Sequence, residues 1–144
     1  MKPHTVVIAS DHAGFALKEA LKADIAALGF AIDDVGTHSE QSVDYPDFAD
    51  AAAEKMKTKN DALGVLICGS GIGISIAANR HKHLRAALCH DGLSASLSRR
   101  HNDANVLCIG ARLTGIDVAK DALKQFLTTE FEGGRHQKRV EKLG

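Results

Sequence analysis

The residue in this 144-residue chain best suited to chemistry is Cys68. It stands where an apolar run, Leu-Gly-Val-Leu-Ile-Cys at 63–68, gives way to Gly-Ser-Gly-Ile-Gly at 69–73 and then to Ile-Ser-Ile-Ala-Ala. A strand, a glycine-rich turn and a helix start, in that order, set a thiol beside backbone N–H groups, where anions bind and thiolates are stabilised. From residue 62 to residue 90 there is no Asp or Glu. Cys68 is therefore the local candidate for a base. The same residue could equally be a small apolar side chain at a strand end, as many free cysteines are.

Known phosphate loops fail here on spacing. A Walker-type loop needs Gly-Lys-Ser/Thr, and no lysine lies between Lys59 and Lys82. The dinucleotide fingerprint needs a third glycine at position 74, which is Ile74, and a Cys-x5-Arg phosphatase loop needs arginine there. What remains is a cysteine among amide donors, an arrangement suited to holding an oxyanion while a proton moves.

The elements around this loop alternate. Strand patterns at 5–10, 30–35, 63–68, 85–90 and 105–109 are separated by helical patterns. Phe15, Leu17, Leu21, Ile25 and Leu28 mark one face of the first helix, which Gly29 should close. Further helices are expected at 47–57, 72–80 and 92–100, and from a Thr114 cap to about residue 131, ahead of a basic tail. Strands that are solid Val/Ile/Leu/Ala predict a parallel sheet covered on both faces, a three-layer α/β/α single domain. Ligands of such folds sit beyond the carboxyl ends of the strands. Those ends carry Asp11-His12, Cys68-Gly69-Ser70, His90-Asp91 and Gly110-Ala111-Arg112. His81 and His83 read as solvated turn residues, and His101 as a histidine following a helix.

Composition narrows the class further. Eighteen basic residues balance eighteen acidic ones, and one tyrosine and five phenylalanines are the aromatic complement, so nucleic acid is not an expected partner. Residues 1–5 run straight into a short apolar strand, and no run approaches membrane-spanning length. Three widely spaced cysteines contain no Cys-x-x-Cys pair. A cytoplasmic protein with reduced thiols is expected.

Five motifs together carry a family resemblance. They are Asp11-His12-Ala13-Gly14-Phe15, Asp44-Tyr45-Pro46, the stretch from Cys68 to Asn79, the stretch from Ser98 to Leu107, and Glu132-Gly133-Gly134-Arg135-His136. In this order they resemble the type B ribose-5-phosphate isomerases of the ribose/galactose isomerase family, over nearly the whole chain. The resemblance implies a Rossmann-like sheet of order 2-1-3-5-4 with Asp11-His12 facing the Cys68 loop. It implies a metal-independent aldose–ketose isomerase of the pentose phosphate pathway, interconverting ribose 5-phosphate and ribulose 5-phosphate through an enediolate, with no cofactor. It also implies a homodimer or tetramer with shared sites, in which the basic segment 132–144 touches a partner subunit.

By the same resemblance, Cys68 is the base that moves a proton between C2 and C1. Gly69, Ser70, Gly71, Ile72 and Gly73 hold the enediolate, and His101 opens the furanose ring. Asp11 and Asn102 contact sugar hydroxyls, Tyr45 lines the pocket, and His12, Arg112, Arg135 and Arg139 face the phosphate. Many members have threonine at the position of Ser70, and another branch has a glutamate base where this chain has Ile74. The cysteine branch is the match. Allose-6-phosphate and galactose-6-phosphate isomerases share the scaffold and differ in pocket depth, and a non-catalytic phosphosugar-binding regulator would need neither Cys68 nor His101.

Overall fold

The computed structural model describes residues 5–144. The reading of residues 1–4 as a terminus without a leader lies outside them. The elements follow in the order β1 (Thr5–Ser10), α1 (Phe15–Ala27), β2 (Ala31–Asp34), α2 (Tyr45–Lys57), β3 (Leu63–Cys68), α3 (Ile72–Ala78), β4 (Ala86–Leu88), α4 (Gly92–Asn102), β5 (Val106–Gly110), α5 (Ile116–Thr128) and α6 (Gln137–Glu141), the last preceded by a 3-10 turn at Gly134–His136. Every strand pair is parallel, in the order β2-β1-β3-β5-β4. The expected fold class and strand order are those found.

Strand alternation divides the core into two layers. Val6, Ile8, Val65, Ile67, Leu107 and Ile109 pack beneath α1, α4 and α5. Their neighbours Val7, Ala9, Leu66, Cys68, Val106 and Cys108 pack beneath α2 and α3. Two apolar faces explain why β1, β3 and β5 read as continuous runs rather than alternating ones. Gly29, at φ +92°, takes the left-handed position that ends α1.

The expected element ends shift where side chains compete for the backbone. The helix expected through residue 80 stops at Ala78, because the Asn79 amide turns to β4: its Nδ2 donates to the Ala86 carbonyl at 2.9 Å and its Oδ1 accepts the Ala86 N–H at 2.8 Å. The fourth helix runs on to Asn102, which places His101 inside its last turn rather than after it. The last long helix takes Gly115 as its cap instead of Thr114, whose hydroxyl is buried without a partner. It ends at Thr128, and Arg99 Nε captures the next carbonyl, that of Thr129, at 3.2 Å. His81 and His83 do lie in a turn and are partly exposed, and each ring also has a protein partner. His81 Nε2 lies 2.7 Å from Asp50 Oδ1, and His83 Nε2 lies 2.9 Å from the Ala53 carbonyl.

Lys18 is fully buried on the face of α1 that turns to the sheet. Its Nζ is 2.5 Å from Asp34 Oδ2 and 3.1 Å from Glu19 Oε2, and Lys22 joins the same two carboxylates. Burial raises the proton affinity of Asp34, but bonds from Lys18, Lys22 and the Gly36 amide outweigh it and hold the carboxyl below its ordinary 3.8. The stability this contributes is therefore present above pH 3.8 and is lost as pH falls through the lower folded value. Asp34→Ala, which strips Lys18 of its main partner, is expected to cost about 3 kcal/mol in urea unfolding at neutral pH. The gap from wild type should narrow as the pH is taken below that range, and a constant gap would place the effect elsewhere.

Candidate active site

Three strands deliver their carboxyl ends to one place. The Asp11 amide donates to the Ile67 carbonyl at 3.2 Å, and Asp11 Oδ1 accepts the Gly14 N–H at 3.1 Å. The turn these bonds close lies directly on the end of β3, so close that a Cβ at Gly14 would sit 2.6 Å from the Ile67 oxygen. Only glycine permits that approach. Beside it, His12 Nδ1 accepts the Val43 N–H at 3.1 Å. With Nδ1 taken as the acceptor, Nε2 is left as the ring's donor. The same bond anchors the loop that leads into Tyr45, the first residue of α2.

The Cys68 loop is fastened on both sides. Cys68 is buried, and its Sγ accepts the Gly71 N–H at 3.2 Å. Its carbonyl accepts the Ala111 N–H, and that of Gly69 accepts the Arg112 N–H, each at 2.9 Å, so the loop is zipped to the extension of β5. Ser70 Oγ accepts the Ile72 N–H at 3.2 Å, which leaves its own O–H free to donate. The Tyr45 ring lies against Gly73, where a Cβ would come 2.5 Å from its Cζ, and Arg112 Nη1 lies 3.3 Å from the corresponding point on Gly69. Asp11, His12, Tyr45, Cys68, Ser70, Arg112 and the loop glycines thus share one end of the sheet.

His101, Asn102, Arg135 and Arg139 do not join them. The helix that carries His101 runs back from the carboxyl end of β4 and delivers its last turn to the start of β5. Cys68 pairs with the other end of that strand, at Gly110. Five residues of strand separate the two sites, roughly 16 Å at 3.3 Å per residue. The tail lies on the His101 side: the Glu132 amide donates to the Arg100 carbonyl at 3.1 Å, and the ring of His136 stacks on that of His101. Arg135 and Arg139 stand exposed beyond it. The Glu-Gly-Gly-Arg-His motif contains both His136 and Glu132, but residue type and spacing alone assign neither a role. An open groove of about 1380 Å³ runs along this amino-terminal edge, lined by Arg85, Arg99 and Arg100 among others. Arg85 and Arg99 are paired with Asp103, and neither Cys68 nor His101 lines the groove, so its size does not mark the chemistry.

A family model described as Ribose/Galactose Isomerase matches residues 6–143. The chain belongs to the ribose/galactose isomerase family. Among curated relatives of the family, ribose-5-phosphate isomerase B of Escherichia coli K12 is 43% identical over 138 residues, covering 96% of this chain and 93% of that protein. The solved structure of ribose 5-phosphate isomerase B from Anaplasma phagocytophilum superimposes with a TM-score of 0.94 at 50% identity, covering 100% of this chain and 99% of that one. The Mycoplasma genitalium structure with bound ribulose-5-phosphate gives 0.93 at 39% identity over 99% and 95% of the two chains. Among the described residues, no helix is long and apolar enough to cross a membrane.

In this member of the family, the loop depends on glycine at the end of β5. A Cβ at Gly110 would lie 2.4 Å from the Ser70 carbonyl oxygen, and no flexible side chain is there to yield. Gly110→Ala should push the loop away from β5, cost about 1–3 kcal/mol of stability, and speed alkylation of Cys68 by iodoacetamide. Peptide mapping can read this cleanly, because burial pushes the Cys89 and Cys108 thiols up and keeps them unreactive. Unchanged stability with an unchanged Cys68 rate would show that the loop yields freely.

Proposed function

We propose that the chain interconverts ribose 5-phosphate and ribulose 5-phosphate in the cytoplasm without a metal, and that each working site is assembled from two copies. The observation that carries the first part is the Gly71 amide aimed at Cys68 Sγ, among further amides and the Ser70 hydroxyl, on a loop flanked by Asp11, Tyr45 and Arg112. A C–H beside a carbonyl is a weak acid. Its removal needs a desolvated base and donors aimed at the oxygen that becomes negative. As a thiolate, Cys68 takes the proton from C2 of the open-chain aldose. The loop amides and Ser70 hold the enediolate oxygen, the hydroxyl proton passes from O2 to O1, and the Cys68 thiol, whose proton exchanges with solvent, delivers a proton to C1 to give the ketose. A family member crystallised with ribulose-5-phosphate supports the substrate class.

The cyclic substrate must open first, and the acid–base suited to that step is His101. Its place at the far end of the sheet supports a second copy as the source of the ring that faces Cys68. Ile72, Ile76, Leu93, Leu113 and Ile116 are exposed around the carboxyl end, apolar surface that a second copy would cover. In that assembly His12 and Arg112 of one copy, with Arg135 and Arg139 of the other, grip the phosphate. Arginine forks suit a phosphate, and the remote charge orients the reacting end.

Cys68→Ala should lower turnover of ribose 5-phosphate by about three orders of magnitude, as loss of a general base does, and a variant keeping a tenth of the activity would remove Cys68 from that role. Preference for allose 6-phosphate over ribose 5-phosphate would reassign the substrate within the family. Mixing inactive Cys68→Ala and His101→Ala chains tests the shared site. Random exchange in a two-fold dimer leaves half the dimers hybrid, each with one intact site, so about a quarter of wild-type activity should return. No recovery after subunit exchange would place both residues in one chain's site.

A further inference from the structure

Two imidazoles meet where α4 ends. The rings of His101 and His136 stack with centroids 4.3 Å apart and planes 15° from parallel. His136 is buried, with 8% of its surface exposed, while His101 is only half-buried. Left-handed glycines at 133 and 134, with φ of +67° and +55°, turn the tail sharply back to place His136 against the helix. The Glu132 amide bonded to the Arg100 carbonyl ties the two segments together, and Glu132 Oε1 lies 3.6 Å from His136 Nε2.

Ligand atoms of His101, Glu132 and His136 fall within 4.8 Å of one another, and their types could bind a divalent transition metal. The stacking argues for a different use. A metal sits in the plane of each imidazole it binds, roughly 2 Å from the nitrogen. Two nearly parallel, superposed rings share no such point. A flat platform under a catalytic ring needs exactly the opposite arrangement, with faces together and edges free.

We propose that His136 is a positioning residue for His101: its buried ring is the platform that fixes the orientation of the His101 imidazole and shields one face of it from water. This rests on the reading of His101 as the ring-opening acid–base. The charged groups facing the pair are Glu132, Arg135 and Arg139 on the tail and Arg100 on α4, whose Nη1 is 4.0 Å from Glu132. Burial, then the charges of His101, Arg135 and Arg139, disfavour a proton on His136, against the smaller pull of Glu132. The balance favours the uncharged form of the ring that lies beneath His101.

The test separates the two proton-transfer steps in the full-length protein. Deuterium uptake at C1 of ribulose 5-phosphate in D2O reports the Cys68 step alone, because that ketose is open-chain. Steady-state turnover of ribose 5-phosphate includes ring opening. His136→Ala should lower kcat for ribose 5-phosphate by about a hundredfold, the scale of a misplaced catalytic group, with KM and deuterium uptake within twofold of wild type. His136→Phe, which keeps a flat ring and cannot take a proton, should restore most of the loss. Equal loss in both assays, no loss in either, or a Phe variant as slow as the Ala variant would overturn the proposal. His101→Ala is the control for the underlying reading. If it spares ribose turnover, the ring-opening role itself is wrong and the platform falls with it; if it behaves as a ring-opening loss while His136→Ala does not, the platform alone is wrong.

Discussion

One directional constraint organises this molecule: all five strands point the same way. A parallel sheet gathers the loops after its strands at one end and returns every helix to the other. Cys68, Asp11, His12 and Arg112 follow strands and collect at the carboxyl end. His101, Asn102 and the tail arginines lie at or beyond helix ends and collect at the amino end. The separation is about the length of β5, so no side-chain rotation within one chain closes it. Division of these side chains between the two ends is a property of the topology, not of any local contact.

Backbone against backbone holds the Cys68 end in shape. Gly14 lets the turn after β1 rest on the Ile67 carbonyl, and Gly110 lets Ser70 rest on β5. Two further bonds, into Ala111 and Arg112, fix the loop along its length. An array of amides arranged this way has paid its ordering entropy in folding, which is what a site that must hold a developing negative charge requires. The His101 end is held differently, by ring stacking and by a tail folded back through two glycines.

Most of the fold was legible because apolar runs and glycines signal locally. Gly29 closed its helix where expected, and the three central strands fell at or within a residue of their expected limits. The errors came where a side chain took a backbone partner that no periodicity reveals: Asn79 ending α3 and Arg99 claiming the carbonyl after α5. Lys18 reads as solvent-exposed in any pattern of charges, and only its carboxylate neighbours on α1 and β2 make its burial tolerable. At the candidate site, strand ends pointed to Asp11, His12, Cys68 and Arg112 without help from the family. The roles of Asn102, Arg135 and Arg139 came from motif resemblance. The stacking of His136 could not be read at all, since it depends on how a tail returns to a helix it follows by some thirty residues.

The Asn79 clamp reaches beyond the helix it ends. β4 is an outer strand of the sheet, and the outward N–H and C=O of Ala86 are the groups that a stray strand from another molecule would seize first. Both are already occupied by one amide side chain. A sheet margin sealed in this way offers no template at that point for edge-to-edge growth, and so resists the route by which exposed strands seed aggregates.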